Sequence, residues 1–236
     1  MLAFILAIAT IVFSNAAFGQ SASVQTKQYE NGGFYKGTFK NGRQHGYGTY
    51  SLPSGYQYEG EWDNGQAVGE GVAKFSNGSV YTGTFSNGKP NGIGAIIYAD
   101  GSKYTGIWVE AQIEGEGIAE YPDGTLYEGE FLANKYHGRG VLVLKSGYSY
   151  EGTWVNGVKE GLGKVTYADG AIYHGELISD KRSGKGSLTT ANGIILSGEW
   201  VDGEFNGKVK GIPSFKEGKI ERLNLWLKQE GIIFKD

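Results

Sequence analysis

Cysteine is absent from the 236-residue chain. That rules out disulfides, a thiol nucleophile, thiolate metal ligands and a lipid-modified cysteine near the amino end, so stability has to come from packing and hydrogen bonds. Proline is nearly as scarce, at 4 residues, which excludes a proline and glycine linker even though glycine supplies 41 residues, more than twice the roughly 7 % of an average protein. The glycines do not fall at every third position, so a collagen triple helix is excluded as well. No long run of one charge occurs. The 22 Lys and Arg against 25 Asp and Glu leave a net charge of −3, with no footprint for nucleic acid or another acidic polymer. What is plentiful is aromatic residues, 14 % of the chain, which marks an ordered protein.

Long hydrophobic runs are missing too. The apolar stretch Leu2 to Phe13, broken only by Thr10, falls short of the ~20 residues of a bilayer span. Small residues follow it (Ala16, Ala17, Gly19), so residues 1–19 read as a secretory signal peptide cut after Gly19, with a cut after Ala16 as the second choice. No Lys or Arg precedes the run, which departs from the pattern and leaves a retained anchor as the alternative. The expected destination is outside the cytoplasm: periplasm, envelope or extracellular space.

Tyr-x-Gly-x-aromatic recurs every 23 residues, starting at Tyr35, Tyr58, Tyr81, Tyr104, Tyr127, Tyr150 and Tyr173, and Leu196 opens an eighth, damaged copy. The fourth residue after each start is Phe39, Trp62, Phe85, Trp108, Phe131, Trp154, Leu177 or Trp200. Alternation with period two places the rings and the intervening glycine on one face of a strand of about five residues. Asn-Gly pairs (Asn41-Gly42, Asn64-Gly65, Asn87-Gly88, Asn156-Gly157) supply the positive φ angles of a tight hairpin. Asn134 and Asp180 take the glycine's place elsewhere, and Ala111 marks an altered turn. A Gly-x-Gly pair opens the second strand, and Asn77-Gly78, Asp100-Gly101, Asp123-Gly124 or Asp169-Gly170 turns the chain into the next unit. Tyr29 and Gly32 look like half a preceding copy.

This unit resembles the MORN repeat, whose Tyr-Glu-Gly-Glu-Phe, Gly and His-Gly-x-Gly pattern is met closely from Tyr127 to Gly140. The resemblance covers about residues 35 to 207. His occupies its family place only at His45 and His137, and the eighth copy loses its second Gly-x-Gly glycine at Val209. The expected fold is all-β: an elongated single-layer antiparallel meander of stacked hairpins, in which each unit's rings are covered by its neighbours. Residues 20–34 form a lead-in, 35–210 the array and 211–236 a terminal cap. The cap is read as a short amphipathic helix because Ile220, Leu223, Trp226 and Leu227 recur at helical spacing.

Chemistry is sparse. His45 and His137 fall four repeats apart, ~40 Å along such a ribbon, and cannot share a metal or a catalytic centre. Gly161-Leu162-Gly163-Lys164 imitates a phosphate loop, but no helical pattern follows it. No catalytic residue, cofactor or metal is expected. The outward positions beside the first-strand glycines are mildly acidic (Glu59, Glu61, Glu128, Glu130, Glu151, Glu176 and Glu199) and form the candidate partner-binding face. Lys219, Arg222, Trp226 and Lys228 form a candidate membrane or partner contact. The resemblance implies a scaffold or adaptor for a protein partner. Peripheral phospholipid binding and glycan binding through aromatic rows stand as alternatives.

Overall fold

A computed structural model of the chain describes residues 23–210; the signal-peptide reading and the 211–236 cap lie outside them. The described residues form one sheet of 17 strands. A short lead strand, β1 (Gln25–Gln28), precedes eight hairpins. Their first strands are β2 (Phe34–Lys40), β4 (Gln57–Asp63), β6 (Val80–Ser86), β8 (Lys103–Val109), β10 (Leu126–Leu132), β12 (Ser149–Val155), β14 (Ile172–Ile178) and β16 (Ile195–Val201). Their second strands are β3 (Arg43–Ser51), β5 (Gln66–Lys74), β7 (Lys89–Ile97), β9 (Gln112–Glu120), β11 (Lys135–Val143), β13 (Val158–Thr166), β15 (Lys181–Thr189) and β17 (Glu204–Lys210). Every pairing is antiparallel and joins consecutive strands, as the 23-residue period requires. The first strands run to seven residues rather than about five, because the side chain beyond the second aromatic still pairs across the hairpin.

One register line runs through the whole array. Gly37 lies opposite Gly48, Gly48 opposite Gly60 and Gly60 opposite Gly71; the series continues without a gap to Gly198 and Gly207. Glycines are required on this line because the tyrosine two residues before each first-strand glycine lies flat across that glycine and its partner on the second strand. A methyl at Gly94 would meet Tyr81 Cε2 at 2.6 Å, and one at Gly71 would meet Tyr58 Cε2 at 2.6 Å. From that position each hydroxyl donates to the carbonyl three residues on: Tyr58 to Glu61 at 3.0 Å, Tyr81 to Thr84 at 3.0 Å, Tyr127 to Glu130 at 2.9 Å. These carbonyls sit where the register shifts within each hairpin, so the phenol satisfies an acceptor that the interrupted ladder leaves open.

The rings then form the core. Tyr35 meets Phe39 of its own unit at 5.1 Å and Trp62 of the next at 5.3 Å, both edge to face. Tyr58 repeats this with Trp62 and Phe85, and Tyr81 with Phe85 and Trp108. Each such pair is worth about 0.5–1.5 kcal/mol beyond the area it buries. Trp62, Trp108 and Trp154 also donate from Nε1 to the carbonyls of Gly48, Gly94 and Gly140 in the preceding unit. The seven row tyrosines are 0–2 % exposed, although no second layer covers them among the described residues.

Two turn types alternate. All eight hairpin tips have positive φ at both central residues, including Glu110 (49°) and Ala111 (68°). The turn at Ala111 is therefore not altered, contrary to the expectation from its sequence. Its amide donates to the Pro90 carbonyl at 2.9 Å, as Gly65 does to Gln44 and Gly88 to Ala67, and this contact between successive tips holds alanine in a glycine conformation. Between units, Asn77, Asp100, Asp123 and Asp169 each accept the amide two residues on at 2.8–3.0 Å, followed by a positive-φ glycine. The Ser102 hydroxyl and amide hold the Asp100 carboxyl below the usual range. Tyr29 and Gly32 make the same turn, so the half copy is real. Gly161 to Lys164 lie inside β13 and lead into a strand, not a helix.

The eighth hairpin departs from the others. With Val209 in place of the second glycine, its register shows no shift and Gly198 pairs with Gly207. Phe205 lies over Gly207 in the place of the missing tyrosine, with ring atoms 2.8–2.9 Å from where a Cβ would sit.

Three outcomes follow for stability. Gly94→Ala displaces the Tyr81 ring and its hydrogen bond, and equilibrium denaturation should record a loss of about 2–4 kcal/mol. Ala111→Gly removes a left-handed alanine at the expense of glycine entropy, a net gain of about 0.5–1 kcal/mol, read as a rise of roughly 1–4 °C in Tm. Burial pushes the phenols up, Tyr35, Tyr81 and Tyr150 to about 12. A group raised in the folded state stabilises fully below its unfolded value, near 10, and loses that contribution as pH rises through the folded value. In an alkaline titration the row tyrosines should stay un-ionised near pH 10 and form phenolate only together with loss of the β-sheet circular dichroism signal.

Candidate binding surface

Because the rings and the glycine line face one side, the alternate residues face the other, and this outer face is where partner contacts are available. The acidic residues expected there divide into two groups. Glu61, Glu130 and Glu176 follow the register line and fold back over the positive-φ glycines Gly69, Gly138 and Gly184, each of which would carry a Cβ into the carboxylate; Glu130 Oε1 accepts the Arg139 amide at 2.9 Å. Thr38 and Thr84 do the same work with a hydroxyl, donating to the His45 and Asn91 carbonyls. Glu59, Glu128 and Glu151 stand free of that duty. Tyr47 donates to Glu59 at 3.1 Å, Glu128 and Glu151 flank Val141 on adjacent strands, and Glu199 lies opposite Asn206.

The face is not uniformly acidic. Strands β6, β7 and β8 contain no Asp or Glu. Their outer positions carry Thr82, Thr84, Ala95, Thr105, Ile93 and Ile107, with Ile93 73 % exposed. A signal for this was present in the sequence, where threonine and isoleucine occupy the outward positions of two successive units between glutamates.

The histidines have local duties. At the place of His45 in several units, a polar side chain reaches the next hairpin tip. Glu114 accepts the Ala133 amide at 3.1 Å, Glu160 the Ser179 amide at 3.0 Å and His137 Nδ1 the Asn156 amide at 3.5 Å, while His45 Nδ1 lies 3.1 Å from Asp63. His45 on β3 and His137 on β11 are eight strand steps apart, roughly 38 Å, and His174 lies opposite Lys164 on the outer face. Among the described residues no group of three His, Asp or Glu could hold a metal ion.

Sequence reasoning missed Arg182. It is 1 % exposed and sits on the ring face, opposite Leu177. Its guanidinium lies 4.6 Å from the Trp200 ring centre and donates from Nη2 to the Gly203 carbonyl at 2.9 Å. Rings thus stand where a carboxylate would be expected. An open groove at the other end of the ring face is lined by Tyr29, Gln44, Tyr50 and Trp62. Lys219, Arg222, Trp226 and Lys228 lie outside the described residues. No helix among the described residues is long and apolar enough to cross a membrane.

No curated protein matches the chain. Among solved structures, the TCP domain of Drosophila melanogaster SAS-4 (dCPAP), in complex with a proline-rich motif of Ana2 (dSTIL), is similar at 12 % identity, covering 80 % of this chain and 99 % of that one with a TM-score of 0.42. The G-box domain of the microcephaly protein CPAP is similar at 11 % identity, covering 81 % and 100 %, with a TM-score of 0.48. The TCP10 domain of Danio rerio CPAP reaches 16 % identity, 81 % and 95 % coverage and a TM-score of 0.40. The MORN repeat family matches residues 35–55, 58–80, 81–103, 104–126, 127–147, 150–172, 173–195 and 197–208, the units defined by the tyrosine and glycine spacing. With seven full repeats and a truncated eighth, the chain belongs to the MORN-repeat family.

Proposed function

We propose that the chain is an exported, non-enzymatic interaction scaffold of the cell envelope or extracellular space, with a protein as its partner. One observation carries this reading: the packed core is the ring face with its glycine line, so the outer face, away from the residues that cover the bulge glycines, can vary from unit to unit at little cost to the fold. MORN-repeat proteins are generally binding or scaffold proteins rather than enzymes, and the spread of histidines and carboxylates along the sheet supports the same view. Export rests on the apolar amino-terminal segment and its small residues. Glycan stacking is less well supported, because the row tyrosines it would use are 0–2 % exposed. Phospholipid binding would rest on Lys219 to Lys228, since glutamates on the outer face repel anionic headgroups.

Affinity purification from the native cell, comparing the full chain with one lacking units three and four (residues 81–126), tests the scaffold reading. A specific partner should accompany the full chain and be lost with the deletion. A chain recovered alone under every growth condition contradicts it.

A further inference from the structure

The neutral patch on β6–β8 has a carboxylate boundary on both sides at fixed spacing. Along one outer row, the cross-strand partners run Glu59, Val72, Thr82, Ala95, Thr105, Ile118 and Glu128. Six strand steps separate the two glutamates, roughly 29 Å. In the neighbouring row, Glu70 lies opposite Thr84 on one side, Ile93 opposite Ile107 in the middle and Glu116 opposite Glu130 on the other. Glu70 and Glu116 are four steps apart, roughly 19 Å. In these two rows the side chains between the boundaries are apolar or hydroxyl-bearing, with Ile93 and Ile107 exposed at 73 % and 40 %; Ile97, 52 % exposed, lies in the next row between Val80 and Lys103. Of the nearby cations, Lys89 pairs with Glu110 at 2.8 Å, Lys103 lies opposite Glu120, and Lys74 lies opposite Val80 at the edge of the patch. Elsewhere the exposed aliphatic residues form smaller groups: Ile178 and Val201 sit beside Lys181 and Glu204 at hairpin tips, Leu162 lies opposite Glu176, Val141 lies between Glu128 and Glu151, and Leu126 and Val143 make one pair on β10 and β11.

We propose that the outer face of β6–β8 is the docking surface of this scaffold, and that its occupant is an amphipathic helix of a partner protein, apolar in the middle and cationic at both ends. The proposal rests on the scaffold reading above and adds where the partner sits and what it must look like. A second copy of this chain fits poorly, because stacking patch on patch brings glutamates against glutamates at both boundaries. An apolar stripe on a helix matches the β-branched side chains of the patch, and the carboxylates set a ruler for its charges. At 1.5 Å per residue, Lys or Arg about 13–19 residues apart would reach both boundaries of a helix lying across the strands. Apolar contact at the centre supplies the affinity, and the charged rim supplies orientation and association rate.

The test uses the full chain and a labelled 20-residue peptide with leucines on one helical face of its centre and a lysine pair at each end, followed by fluorescence anisotropy. A second peptide carries glutamate pairs instead. The lysine peptide should bind, the glutamate peptide should bind at least about tenfold more weakly, and raised salt should weaken the lysine peptide. Ile93→Glu and Ile107→Glu, each checked for an unchanged circular dichroism spectrum, should weaken binding about tenfold, whereas Ile178→Glu leaves it within about twofold. Equal binding of the two peptides, no binding, or no effect of Ile93→Glu overturns the proposal. So does a dimer of the full chain, or vesicle binding, that is lost with Ile93→Glu, since a second copy or a membrane would then own the patch. If Ile93→Glu leaves a partner recovered from the native cell unaffected, the scaffold reading stands and this surface does not; if no partner is recovered with any chain, the scaffold reading itself falls.

Discussion

A tyrosine ring lying flat across two glycines is the contact from which the rest of this molecule follows. The ring reaches the backbone because neither glycine has a side chain, and its hydroxyl then meets the carbonyl that the shifted register leaves without a strand partner. Held there, the ring turns one edge to the aromatic residue of its own unit and another to that of the next. A sheet of a single layer normally leaves one face unsatisfied, and here the rings themselves become the covering layer. The core is therefore a chain of nearest-neighbour contacts, and each hairpin depends on the units beside it. The last hairpin illustrates the rule by exception: where Leu196 replaces tyrosine and Val209 replaces glycine, the register straightens and Phe205 covers the glycines from the opposite strand.

Division of labour between the faces connects this architecture to function. Ring-face substitutions disturb a stack that crosses unit boundaries, whereas outer-face substitutions away from the bulges meet mainly solvent. The outer face is thus the place where eight similar units can differ in what they present, and they do: on their first strands the second and fifth units carry glutamates, the third threonines, and the fourth threonine and isoleucine. Such a surface suits recognition by position along a ribbon. Among the described residues no His, Asp or Glu cluster could hold a metal ion, and His45 and His137 contact the next hairpin tip.

Strand order, strand direction and the buried tyrosines were legible in the sequence because a strict 23-residue period allows only one repeating arrangement. The turns were legible wherever glycine, asparagine or aspartate marks a left-handed residue. Ala111 was misread because the turn is held by a contact with the preceding tip, at Pro90, which no local residue preference records. The outer face was read too simply: counting glutamates conceals that three successive strands, β6 to β8, lack them, and that Glu61, Glu130 and Glu176 are turned back onto the bulge glycines, a consequence of the register shift. Arg182 escaped notice because arginine is ordinarily exposed, and only the pairing of β14 with β15 places it among rings.

The central claim is that each unit is supported only by its neighbours in an extended ribbon, and small-angle X-ray scattering addresses it most directly. Sixteen strand spacings of ~4.8 Å give a length of roughly 75 Å before twist, against a radius of gyration near 17 Å for a compact chain of this size. Scattering from the intact chain should show the extended dimension, and excision of one whole unit (residues 104–126) should leave a folded protein about 10 Å shorter. A compact profile, or a protein that unfolds when one complete unit is removed, would contradict the account.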